Sequence, residues 1–206
     1  MNNFKKQIAP YILIAINQLI IGIGAAFLVA SDMGNEPVGV FFSGVSKQTG
    51  LSFGTVTTLF NVGFFFAFLI FYRKRISITT LISASCVGLL IDGTVELLLN
   101  ANLNINIVKY IFPFIGVTIV GIFIASTLAL DLGASVADNI ILAIGDITKK
   151  GYTINGYIFN GLFFTIGLLL GGTFGYATIV SFILTSIIIE FSIPKFKKLH
   201  SKNGLM

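Results

Sequence analysis

Two carboxylates spaced four residues apart, Asp92 and Glu96, are the sharpest ionisable feature of this sequence. That spacing places both on one helix face, and Ser85 and Gly88 extend the same stripe. Two close carboxylates in an apolar segment disfavour double ionisation, so the pair is a candidate site for proton or cation coupling. The alternative is that both are solvated at the mouth of a helix bundle. Glu190 is a weaker candidate for coupling, because snorkelling to an interface also explains it.

Amide side chains inside apolar runs form a second set of candidates, namely Asn61, Asn160, Asn17 and Gln18. Asn61 and Asn160 each fall near the middle of such a run. An amide in hydrocarbon must find a hydrogen-bond partner, so both are expected to face the interior of a helix bundle. There they either line a substrate path, which Asn17 and Gln18 would join at a shallower depth, or only hold helices together.

The sequence gives little support for an enzyme. His200 is its only histidine and falls in a basic C-terminal segment, so no histidine-based triad or zinc cluster is expected. No Walker-type phosphate loop is present, and Cys86 has no second cysteine with which to form a disulfide. We therefore predict no catalytic residues, no metal site and no cofactor.

The elements that carry these candidates are predicted to be membrane helices. Only 10% of the 206 residues are charged, against about 25% in a soluble domain, and the mean hydropathy is +0.97. The net charge of +5 comes from short basic clusters without a recognition motif, which excludes nucleic acid as a partner. We predict an all-α protein with a single membrane domain over 1–206, ending in a basic cytoplasmic tail over 194–206.

Six apolar segments are long enough to cross a bilayer: 11–31, 53–72, 77–99, 108–130, 153–171 and 176–193. Two shorter helices are predicted among them, over 37–48 and 136–148. Pro37 suits the first turn of one, and Ser135 with Asp138 forms a capping-box pattern at the start of the other. Neither is long enough to cross, so both should lie at the interface or dip into the membrane and return.

An internal repeat relates the two halves of the chain. At an offset of 99 residues, 22–92 aligns with 121–191 without a gap, and thirteen positions are identical. The polar matches, which composition makes improbable, include Asp32 with Asp131 and Asn61 with Asn160. The two repeats cover about 11–99 and 108–193. Each contains three crossings, an odd number, so the second half is predicted to be inverted relative to the first.

Basic residues predict the orientation, because they accumulate in cytoplasmic loops. Six crossings with both termini inside leave only Lys47 and Lys109 outside. The basic residues then inside are Lys5, Lys6, Arg73, Lys74, Arg75, Lys149, Lys150, Lys195, Lys197, Lys198 and Lys202. Eight crossings would instead expose the Arg73–Arg75 cluster outside.

A glycine-rich motif resembles that of a known family. The motif comprises Gly22-Ile23-Gly24, Asp32-Met33-Gly34-Asn35-Glu36-Pro37, Gly44-Val45-Ser46 and Thr49-Gly50-Leu51-Ser52-Phe53-Gly54. It resembles the YczE/YyaS/YitT group of bacterial integral membrane proteins over most of the chain. Members commonly follow the proline with tryptophan and aspartate, where this sequence has Val38 and Gly39. The resemblance implies a multi-spanning protein of the bacterial cytoplasmic membrane and assigns no site residues.

The sequence favours a transporter or channel for a small solute, with proton or cation coupling as one option. Two alternatives stay open. The first is a regulatory or assembly subunit without a transport path, and the second is a substrate-binding subunit that uses an external ATPase. The expected partners are the lipid bilayer and an unidentified small solute, and a homo-oligomer is left open.

Overall fold

The computed structural model describes residues 2–73, 76–101 and 105–205, and forms eight helices there. In chain order they are α1 (Asn2–Ser31), α2 (Pro37–Thr49), α3 (Phe53–Phe71), α4 (Ile78–Asn100), α5 (Ile105–Ala129), α6 (Val136–Thr148), α7 (Tyr152–Leu169) and α8 (Tyr176–Lys202). The predicted all-α class is confirmed. Of the basic residues used to predict orientation, Lys74 and Arg75 and the side chains of Lys5 and Lys6 lie outside the described residues.

Five helices are long and apolar enough to cross a membrane: α1, α3, α4, α5 and α8. The sixth predicted crossing corresponds to α7, which has 18 residues. Its N-terminal half carries Tyr152, Thr153, Asn155 and Tyr157, whose polar groups lower the hydropathy of so short a helix. The chain is thus a multi-spanning membrane protein, and a crossing by α7 stays a prediction.

The two short helices begin at the predicted residues. Pro37 occupies the first turn of α2, and the hydroxyl of Ser135 caps α6 by accepting a hydrogen bond from the Asp138 amide at 3.2 Å. Gly50 ends α2 in a left-handed conformation, with φ at 75°. Each helix has 13 residues, about 20 Å of rise, which is short of the hydrocarbon thickness.

Local backbone geometry recurs at the same offset of 99 residues. Asp32 and Asp131 have φ values of 53° and 54°, an uncommon conformation for residues other than glycine. Gly50 and Lys149 both end a short helix in the left-handed region. Thr49 and Thr148 are the last residues of these helices. Their hydroxyls accept hydrogen bonds from the backbone amides of Leu51 and Lys150, at 3.4 and 3.3 Å. The two halves therefore share turn geometry as well as sequence.

Helices α1 and α5 pack against each other in antiparallel orientation at the centre of the bundle. Asn17 contacts Ser126, whereas Gly24, further along α1, contacts Gly116, further back along α5. A side chain at Gly116 would meet the Gly24 carbonyl oxygen at 2.6 Å. Glycine at this crossing thus lets the two backbones approach closely.

The outer helices pack on this central pair in matching ways. A side chain at Gly22 would meet Leu90 of α4 at 3.0 Å, and one at Gly121 would meet Ile188 of α8 at 2.8 Å. The small residues spaced four apart along α1 and α5 are buried with them: Ala26, Ala30, Ala125 and Ala129. These small-residue stripes serve helix packing.

The two short helices are packed differently. Helix α2 lies directly on α7, where a side chain at Gly44 would meet Leu170 at 2.8 Å and one at Gly167 would meet the α2 backbone. Helix α6 contacts α3 much less. The residues of the first half equivalent to Gly167 and Gly172 are Phe68 and Arg73, whose bulk prevents the same close approach.

The segment predicted as a basic tail is largely helical, because α8 continues to Lys202. His200 is only 3% exposed, its ring stacks on Phe196, and its Nε2 lies 3.3 Å from the Ser126 hydroxyl. The last turns of α8 therefore pack against the bundle.

Candidate functional site

A cavity of about 120 Å³ lies at the centre of the bundle and is called the central cavity below. It is bounded by α1, α3, α4, α5, α7 and α8 and by the first residues of α2 and α6. Its polar lining consists of Gln18, Glu36, Thr57, Asn61, Ser83, Ser135, Asp138, Tyr152, Asn160, Thr185 and Ser186. A concave site with a few convergent polar groups in an apolar bundle is the default position for a ligand.

Glu36 reaches the central cavity from the residue that precedes α2. Pro37 fixes the start of that helix, which places the preceding side chain at its N-terminus. Burial, and to a smaller extent the neighbouring carboxylate of Asp138, raise the pKa of the Glu36 carboxyl from 4.5 to about 7. Within the described residues no hydrogen bond reaches this carboxyl, so none stabilises its charged form.

Asp138 enters the same cavity from the first turn of α6 and is 3% exposed. The hydroxyl of Ser135 donates to its Oδ2 at 2.6 Å, and the hydroxyl of Tyr152 donates to its Oδ1 at 2.6 Å. Burial raises the pKa of the Asp138 carboxyl, and these hydrogen bonds oppose the rise because they stabilise the charged form. The two acids thus differ: Asp138 is held by hydroxyls and Glu36 is not.

Three of the four candidate amides line the central cavity: Gln18, Asn61 and Asn160. Gln18 is 2% exposed and Asn61 8% exposed, yet neither amide has a hydrogen-bond partner among the described residues. Neither amide belongs to the polar groups that are fully enclosed by protein without a partner, because both side chains face the cavity. Their position on a cavity indicates that water or a ligand supplies the missing partner.

Asn17 is placed elsewhere, although it is adjacent to Gln18 in sequence. Its Nδ2 donates to the hydroxyls of Ser126 at 3.1 Å and Thr127 at 3.2 Å, and it is not among the residues lining the central cavity. Its contacts are those of a side chain that links α1 to α5.

The carboxylate pair singled out from spacing lies apart from the central cavity. Asp92 accepts hydrogen bonds from the Gly54 amide at 2.8 Å and the Ser52 hydroxyl at 2.5 Å, and so caps the start of α3. Glu96 is exposed. The α4 face that lines the cavity carries Ser83, Val87 and Ile91 instead.

Glu190 occupies an analogous position in the second half. It is exposed, and it accepts a hydrogen bond from the hydroxyl of Thr153 in the first turn of α7. Thr153 is equivalent to Gly54 at the 99-residue offset. Each half therefore has a carboxylate on its last helix that binds the start of the preceding helix.

Aromatic rings form much of the apolar wall of the central cavity. They belong to Phe42, Phe53, Phe60, Phe159 and Tyr152. Phe42 packs edge-on against Phe60, with ring centroids 5.1 Å apart, and against Phe53 at 5.9 Å. Edge-on packing fixes these rings and leaves part of each facing the cavity.

Sequence reasoning did not single out Glu36 or assign Asp138 to a site. The first was a residue of the family motif, and the second was explained by its capping box. The available signal was their position: each lies at the start of a short helix, and the two starts are equivalent in the repeat.

Comparisons with known proteins place this architecture in a family. Residues 8–194 match DUF6198, described as a family of unknown function, and the chain belongs to it. It is also similar to "Uncharacterized protein YyaS" of Bacillus subtilis (strain 168), with 25% identity over 185 residues, covering 89% of this chain and 92% of that protein. No solved structure matches the chain. The predicted resemblance to the group that contains YyaS is thus confirmed.

Proposed function

We propose that this protein transports a small solute across the cytoplasmic membrane and that Glu36 and Asp138 couple the movement to protons or cations. The observation that carries this proposal is the central cavity, where two carboxyl groups meet two amides that have no hydrogen-bond partner among the described residues. Buried polar groups without partners destabilise a fold, so their convergence favours a ligand site over packing.

Two aromatic residues connect the central cavity to further pockets. Phe53 lines both the central cavity and a pocket of about 170 Å³ beside α2, called the α2-side pocket. Tyr152 lines both the central cavity and a pocket of about 540 Å³ beside α6, called the α6-side pocket. Phe53 and Tyr152 are equivalent at the 99-residue offset. This arrangement supports a path with one aromatic gate toward each side.

An inverted repeat would give this path its two openings. Asp32 and Gly34 line the α2-side pocket, and their equivalents Asp131 and Gly133 line the α6-side pocket. If the halves are related by an axis in the membrane plane, the two pockets open to opposite sides of the bilayer. The antiparallel packing of α1 and α5 supports that relation.

The packing asymmetry suggests which gate opens in this conformation. Helix α2 is held on α7 by close backbone contacts and by a hydrogen bond from the Lys47 ammonium to the Gly171 carbonyl at 3.0 Å. Helix α6 is more loosely packed, and its pocket is the larger one. Basic residues Lys149 and Lys150 at the end of α6 indicate that this side is cytoplasmic. We propose an inward-facing conformation with α6 as the moving element.

A transport assay tests this proposal. The purified protein is reconstituted in liposomes that contain a pH-sensitive dye, and a panel of small metabolites is added outside. We expect at least one solute class to cause proton movement in wild type and in Glu96→Gln, and none in Glu36→Gln. Solute-driven proton movement at the wild-type rate in Glu36→Gln would exclude the coupling role. A wild-type protein that moves neither protons nor solute under any gradient would favour the regulatory-subunit alternative.

A further inference from the structure

We propose that the ligand of the central cavity is a small organic ammonium cation, bound by the Glu36 and Asp138 carboxylates and enclosed by the aromatic rings of Phe42, Phe60 and Phe159. The inference shares the central cavity with the proposed function. It concerns binding alone, so it does not depend on transport. It derives from the charge, the wall and the size of the cavity.

The charge of the cavity favours a cationic ligand. Among the described residues that line it, Glu36 and Asp138 are the only ionisable acids and no lysine, arginine or histidine faces them. Asp138 receives two hydroxyl donors, whereas Glu36 receives none. An ionised Glu36 beside Asp138 is a half-buried, uncompensated charge at the cavity, which a proton or a bound cation neutralises.

The wall of the cavity favours an organic cation over a metal ion. Aromatic faces attract ammonium groups through their quadrupole, most strongly where water is excluded. Magnesium, by contrast, demands a near-ideal octahedron of oxygen ligands and gives up its water reluctantly. In the part of the chain that the structure describes, no three histidine, cysteine or acidic side chains lie close enough to hold a metal.

The size of the cavity limits the ligand to a few heavy atoms. Its volume is about 120 Å³, and an apolar cavity of about 150 Å³ accommodates benzene. Methylammonium, guanidinium and tetramethylammonium fall within this limit. The unpaired amides of Gln18 and Asn61 offer carbonyl acceptors to a cation that carries N–H groups.

Binding then exchanges one positive charge for another. When the cation enters, the Glu36 carboxyl releases its proton to water, and the site keeps the same net charge. The groups that face Glu36 in this exchange are the Asp138 carboxylate and the Tyr152 hydroxyl. Because the cation and the proton compete for the same carboxyl, binding of one is coupled to release of the other, and no additional residue is needed for this coupling.

Calorimetric titration of the full-length protein in lipid nanodiscs tests the inference. The probes are tetramethylammonium and guanidinium, with tert-butanol as a neutral control of similar size and sodium and magnesium as metal controls. At pH 8 we expect saturable binding of an organic cation, and at pH 6 an affinity about tenfold lower. Tert-butanol and the metal ions should not compete.

Variants separate the carboxylates from general effects on folding. Glu36→Gln should reduce affinity for the cation at least tenfold and remove its pH dependence, and Asp138→Asn should also weaken binding, whereas Glu96→Gln should bind as wild type. Equal binding of tert-butanol, a pH-independent affinity in wild type, or full binding by Glu36→Gln would overturn the inference. Cation binding without transport would contradict only the proposed function, and transport of a neutral or anionic solute without cation binding would contradict only this inference.

Discussion

Phe53 and Tyr152, 99 positions apart, each line both the central cavity and one neighbouring pocket. They differ by one hydroxyl, and that hydroxyl donates to Asp138 at 2.6 Å. The aromatic residue on the α6 side is therefore bound to the Asp138 carboxylate, whereas the one on the α2 side is an apolar ring, and these two residues are the gates of the proposed path. Opening on the α6 side should consequently respond to the charge at Asp138.

This difference predicts the accessibility of the central cavity. In a Cys86→Ala background, Asn160→Cys should react with a small thiol reagent faster from the α6 side than from the α2 side. Adding Tyr152→Ala should raise the α6-side rate several-fold, and adding Phe53→Ala should create a reaction from the α2 side. Rates that neither gate substitution alters would contradict the gate assignment.

The pKa of Glu36 predicts how stability changes with pH. Between pH 4.5 and about 7 the folded protein holds a proton at Glu36 that the unfolded chain has lost, so the free energy of unfolding falls as pH rises through this window. The shift corresponds to roughly 3 kcal/mol at most. Thermal unfolding in detergent should show that wild type is less stable at pH 8 than at pH 5, and that this loss of stability is smaller in Glu36→Gln. At pH 8 the Glu36→Gln variant should be more stable than wild type. Identical pH profiles would contradict the prediction.

The repeat orientation predicts opposite labelling of two equivalent residues. Leu51 and Lys150 are exposed, lie 99 positions apart and follow the ends of the two short helices. With Cys86 replaced by alanine, an impermeant reagent added to intact cells should label Leu51→Cys and should label Lys150→Cys only after permeabilisation. Labelling of both from the same side would mean that the halves are related by an axis along the membrane normal.

The contact between α2 and α7 predicts a local effect of glycine substitution. A side chain at Gly167 would meet the backbone of Val40 and Phe41, whereas one at Gly161 in the same helix has open space around it. Gly167→Ala should lower the unfolding temperature, by a destabilisation of about 1–3 kcal/mol. Gly161→Ala is the matched control and should be neutral or slightly stabilising. Equal unfolding temperatures would mean that α2 is not fixed on α7.

The contacts of Asp92 predict a stabilising role for this residue. Asp92→Ala would leave the Gly54 amide without its acceptor, at a cost of about 1–3 kcal/mol, whereas the Ser52 hydroxyl can still donate to Thr55. Glu96→Ala, on the same helix but exposed, should be neutral. Unfolding in detergent measures the stability of both variants. Equal stability of the two would contradict the role of Asp92 at the start of α3.

Most helix positions could be predicted because hydropathy and capping act over a few residues. Both short helices begin where Pro37 and Ser135 predicted, and α3 begins at Phe53 as expected. The two largest differences lie at the chain ends, where α1 begins at Asn2 and α8 continues to Lys202. Lysine is a good helix former, so these helices continue past the point at which hydropathy falls.

The central site could be predicted only in part. The spacing of Asp92 and Glu96 was read correctly as one helix face, but spacing does not show what packs against that face, and in the structure Asp92 binds the start of α3. The meeting of Glu36 with Asp138 joins residues 102 positions apart in sequence. Such a contact depends on how the two halves pack, which a local pattern does not contain.

The buried end of α8 has a consequence for the biogenesis of the protein. His200 lies against Ser126 of α5, which in turn accepts a hydrogen bond from Asn17 of α1, so a residue near the end of α8 completes a network that α1 begins. Synthesis proceeds from the N-terminus, so α1 and α5 are made before α8. Helix α1 can therefore bind α5 early, but the Asn17–Ser126 pair gains its third member only after α8 has packed against the bundle.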